Sequence, residues 1–105
     1  MDRVSELQII GQKYKIEWVN AASVDGLNSL AGLHDATKGV IRISLLDMDG
    51  EKRCDDAISQ IFLHEIIEAI RYHLQIDFKH EYIDGVASCL AQVFSQVDIT
   101  GRRIE

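Results

Sequence analysis

The residues best equipped for chemistry in this chain lie together, at His64-Glu65-Ile66-Ile67-Glu68. Their spacing puts His64 and Glu68 on one face of a helix, on successive turns, with Glu65 about 100° round from His64. An imidazole nitrogen and a carboxylate oxygen placed in that way can reach one divalent ion. Glu65 then stands to the side, next to a water held by the ion. Zinc lowers the pKa of such a water towards about 7, and an adjacent carboxylate takes its proton during attack. The expectation is a Zn2+ ion bound by His64 and Glu68, with Glu65 as the general base.

The motif alone is weak, and its setting gives it weight. Leu63, Ile66, Ile67, Ile70 and Leu74 fill one arc of the helical wheel, and Ile58, Phe62 and Ala69 flank the polar cluster on its other side. A helix apolar nearly all round is expected to be mostly buried. Carboxylates buried without partners are costly, so Glu65 and Glu68 require an explanation that an ion would supply.

A catalytic zinc takes three protein ligands and keeps one position open. His80, twelve residues after Glu68, is the expected third ligand, brought back over the site by a turn at Asp77-Phe78-Lys79. Asp84, one turn further on, is a candidate to orient that imidazole. His73 projects about 180° away from His64 on the wheel. His34 is a distant candidate from the strand-rich half.

The elements that must position these groups change character near residue 54. Before it come a hairpin, Leu7–Ile10 and Tyr14–Val19 about a Gly11-Gln12 turn, a short strand at 30–34, and an alternating strand at 40–45. Asn20 to Ser29 is left as loop or short helix. After it, Asp55 or Asp56 caps a helix running to about 75, and a second helix covers about 81–96, with Ile83, Val86, Leu90, Val93 and Val97 at helical intervals. The fold class expected is α+β: a small, mostly antiparallel sheet, with 40–45 as an edge strand, packed on two helices. With 105 residues, no proline and no linker composition, one domain is expected, made of a strand-rich part (1–53), metal-binding helices (54–97) and a tail (98–105).

Composition narrows the function classes. A formal charge of −6 argues against a nucleic-acid surface, which needs clustered Lys and Arg. No run is apolar enough for a membrane span, and Met1 to Glu6 lack a signal-peptide stretch, so a cytoplasmic protein is expected. Cys54 and Cys89 are too few and too far apart for a disulfide framework, and read as small buried or half-buried thiols.

The stretches Ala31-Gly32-Leu33-His34-Asp35, Val40-Ile41-Arg42-Ile43, Phe62 to Ile70 and Lys79-His80-Glu81-Tyr82-Ile83 resemble a group of small phage and prophage proteins, similar in turn to minimal zincin domains of the ImmA/IrrE and SprT type. The likeness spans roughly residues 12 to 96. It implies a peptidase-like zinc hydrolase, with the strand at 40–45 running beside the active-site helix as an edge to which a peptide adds. Glu68 departs from the commoner His-Glu-x-x-His pattern, keeping a ligand while changing the charge at the metal. Tyr72 and Tyr82 are the candidates for a group that stabilises an oxyanion.

Two other readings use the same residues. Glu65-x-x-Glu68 with Glu81-x-x-Asp84 resembles the acidic pairs of MazG-like nucleotide pyrophosphohydrolases, all-helical proteins that hold magnesium. The other is a non-enzymatic phage accessory protein with a structural zinc and a partner-binding edge strand.

Overall fold

The structure, a computed structural model, describes residues 3–24, 30–75, 77 and 79–96. Among these residues four strands and two helices follow one another: β1 (Glu6–Ile9), β2 (Gln12–Val19), β3 (Gly32–Asp35), β4 (Val40–Ser44), α1 (Asp55–Leu74) and α2 (His80–Phe94). This is an α+β fold, and its sheet separates it from the all-helical bundle that the acidic-pair reading implies.

The hairpin turns one residue earlier than its composition suggests. Ile10 and Gly11 both have positive φ, 50° and 75°, so they form the two-residue turn and Gln12 already belongs to β2. Such a turn demands the left-handed region twice. Gly11 adopts it freely, whereas the β-branched Ile10 does so under strain.

The sheet is mixed, in the order β1-β2-β4-β3. β1 and β3 pair antiparallel with β2 and β4 respectively, but β2 and β4 run parallel, with Ile16 opposite Ile41 and Trp18 opposite Ile43. This corrects the expectation of an edge strand at 40–45. β4 is internal, and the edge beside the helices is β3. Ile41 and Ile43 explain the placement, since both are 0% exposed and a strand that buries them fully is best flanked on either side.

Alternation aims Tyr14, Ile16, Ile41 and Ile43 at one face, where they form the core with Ile9 of β1 and with Ile58 and Ala69 of α1. Phe62 meets Trp18 edge-on at 5.1 Å between ring centroids. α1 lies between this sheet and α2, and most of its side chains are half-buried; Ile58, Glu65 and Ala69 alone on it are fully buried. α2 rests on α1 through Ile83 and Ala87, which are buried. Val86 and Val93, expected on that buried stripe, are exposed, because the packed stripe follows the i, i+4 row from Ile83.

α1 ends at Gln75, which takes the left-handed C-cap conformation. The predicted turn at 77–79 and the Val97 position fall partly or wholly outside the described residues, as do 25–29 and the tail. Cys54 and Cys89 are free and exposed rather than buried. Among the described residues no helix is long and apolar enough to cross a membrane.

Candidate metal centre

A cleft of about 560 Å³ opens between β3 with its approach, from Leu30 to His34, one face of α1, and the start of α2. His64, Glu65, Glu68, His80 and Asp84 all line it. The four-residue periodicity of α1 brings His64 and Glu68 to this face, as their spacing predicts. His80 is the first residue of α2, so the helix hairpin itself carries it back over them.

His64 and His80 meet at 4.8 Å between ring centroids. One potential ligand atom from each of His64, His80 and Asp84 lies within 4.8 Å of the others. His64 Nδ1 donates to Asp84 Oδ1 at 2.7 Å, which leaves the lone pair of Nε2 free. Asp84 therefore orients His64, where the sequence reading had it orient His80. Glu68 is held from the other side: Arg71 Nε donates to its Oε1 at 3.1 Å, and its Oε2 lies 3.8 Å from His80 Nδ1. Glu81, by contrast, does not line the cleft.

Glu65 is 8% exposed and makes no hydrogen bond among the described residues; the imidazole nitrogen facing it, His64 Nε2, lies 4.0 Å away. Burial raises its carboxyl from 4.5 to about 7, with Glu68 and Asp84 adding to the rise. A proton can therefore be held or released there near neutrality.

Gly32 makes room for this carboxylate. A Cβ at that position would lie 2.7 Å from Glu65 Oε2 and 2.9 Å from both Glu65 Cγ and Ile61 Cγ2. The backbone of β3 is thus pressed against the acid. A glycine interrupting a strand signals such a close approach, so this contact was open to sequence reasoning.

Arg53 is the other residue that pattern reading passes over. It lines the cleft at the N-terminal end of α1, and its Nε is buried without a hydrogen-bond partner among the described residues. An unpaired buried donor costs about 1–3 kcal/mol. Its backbone is fixed: Arg53 N donates to Leu45 O at 2.9 Å, Leu46 bridges Lys52, and Asp47 Oδ1 accepts from the amides of Asp49 and Glu51. No sequence pattern marks an unpartnered donor, because the partner's absence is a tertiary fact.

The remaining histidines lie across α1. Tyr14 Oη bonds His34 Nε2 at 2.7 Å and His73 Nε2 at 2.6 Å. Burial, helped by Tyr72, raises the phenol's pKa, so it stays protonated and donates to one imidazole while the other donates its Nε2–H back. His34 also lines the cleft, but its Nε2 is occupied in this way. Tyr72 and Tyr82 are exposed and absent from the cleft lining; Tyr72 instead stacks edge-on against His34 and His73.

Comparison of the chain with protein-family models, with curated proteins and with solved structures returns no match.

Proposed function

We propose that this protein is a small zinc-dependent hydrolase acting on peptide bonds, with a zincin-like site. The observation that carries the reading is the convergence of two imidazoles and two carboxylates in one cleft, beside a buried glutamate that makes no hydrogen bond among the described residues. That donor set suits zinc, which favours histidine nitrogen and carboxylate oxygen in small numbers. His64 Nε2 and His80 would hold the ion with Glu68 Oε2, which lies beside His80 but outside the compact set of His64, His80 and Asp84; Asp84 would fix the His64 ring and Arg71 the Glu68 carboxylate. When bound, zinc supplies Lewis acidity and makes water acidic near neutral pH.

The chain's own groups do the rest. Glu65, its carboxyl near 7, is matched to take a proton from water and return it to a leaving amine. Among the described residues β3 presents an unpaired strand edge along the cleft, where a peptide can align by main-chain hydrogen bonds. A cytoplasmic location suits two exposed free thiols.

One observation favours a second reading. The cluster ties α1 to α2, and His80 and Asp84 are 68% and 59% exposed in their side chains, an arrangement that also serves as a structural cross-link in a non-enzymatic binding protein. Metal analysis of protein purified without added metal separates the outcomes. About one zinc per chain, together with zinc-dependent cleavage of a peptide library, supports the hydrolase. Zinc without cleavage favours the cross-link, and no zinc removes both.

A further inference from the structure

We infer that Arg53 is a carboxylate-binding residue, and that the cleft selects extended peptides bearing a carboxylate a few residues from the bond over Glu65. The inference rests on the reading of this cleft as a substrate site, and it names the chemistry that the site selects.

The cleft is electrically lopsided. Glu65, Glu68 and Asp84 crowd the end under α2, whereas Arg53 lies at the opposite end, ahead of α1. In the metal-free protein an anionic group is repelled from the first and drawn to the second, so the cleft orients what enters it. Arg53 is also prepared for this task. Its backbone is locked by the bond to Leu45 and the bridge beneath it, and its buried Nε has no partner among the described residues. A guanidinium edge offers donors spaced for a carboxylate.

The separation sets where that carboxylate lies in the substrate. From Ala57, the first residue of α1 in the lining and four positions after Arg53, to His64 the helix advances about 10 Å. An extended peptide covers that distance in about three residues. The carboxylate is either a C-terminus or an acidic side chain at that spacing.

The Nε–H cross-peak of Arg53 in ¹⁵N-labelled protein reports a carboxylate arriving at the guanidinium. Metal-free protein is titrated with N-acetyl-trialanine, with its C-terminal amide, and with a doubly capped tripeptide carrying one aspartate. Saturable movement of the Arg53 peak with the free acid and not with the amide is expected, and movement with the capped aspartyl peptide extends the specificity to side chains. Arg53→Gln should weaken binding of the free acid about tenfold or more, with amide dispersion elsewhere unchanged. An unmoved Arg53 peak, or equal movement with acid and amide, overturns the inference. Because the titration omits metal, failure of the zinc reading leaves this readout intact, and zinc binding with a silent Arg53 sinks this inference alone.

Discussion

α1 carries a histidine cluster on each side, and the two differ in whether their polar groups are satisfied. Towards the sheet, His73 and His34 share the hydroxyl of Tyr14, and each contact is a short hydrogen bond. Towards α2, His64 and His80 stand 4.8 Å apart between centroids beside a buried Glu65 that makes no hydrogen bond among the described residues. The first arrangement is complete and accounts for itself as structure. The second leaves an acid costly to ionise and an imidazole lone pair unclaimed, which is the signature of a site built for something else.

Substitutions can break that contrast. The largest effect is expected from Glu65→Gln, which should lower hydrolysis about 10²- to 10⁴-fold while zinc stays bound, as measured by turnover beside metal content. His80→Ala or His64→Ala should weaken zinc binding about 100-fold or more in a chelator competition, whereas His73→Ala should leave it unchanged. Equal losses on both sides of the helix would erase the distinction.

Stability should discriminate in the opposite sense. The folded state keeps the Glu65 proton that the unfolded chain releases, so metal-free stability falls as pH rises from about 4.5 to about 7. Above that window Glu65→Gln should be more stable than the parent by about 1–3 kcal/mol, and near pH 4 the two should coincide in urea melts. Tyr14→Phe should instead destabilise at every pH, by about 1–3 kcal/mol, because it strands two imidazoles. His34 has its pKa lowered, by burial first and His73 second. Its folded form resists a proton that the unfolded chain accepts, so its contribution is lost as pH drops below 6.5, and ring-proton NMR should show it titrating late.

Much of this was legible in the sequence, and the limits have physical causes. Helical spacing alone places His64 and Glu68 on one face and sends His73 to the other. The start of the second helix placed His80. Pairing order was not legible: Val40 to Ser44 alternates as an edge strand would, and only the parallel register with β2 reveals it as internal. Asp84 was expected to accept from His80 and instead accepts from His64, since the angle between two helices decides which ring it reaches. Arg53 goes unmarked because its missing partner is a tertiary fact, while Gly32 signals a close approach without naming Glu65, which comes from a distant segment.

Both edges of the sheet are four-residue strands, β1 and β3. An edge of about 13 Å offers a neighbouring copy few main-chain bonds, so growth into ordered aggregates gains little at each addition. The same brevity constrains recognition. A guest strand laid on β3 gains little from backbone pairing alone, and its residence must come from the side chains it brings.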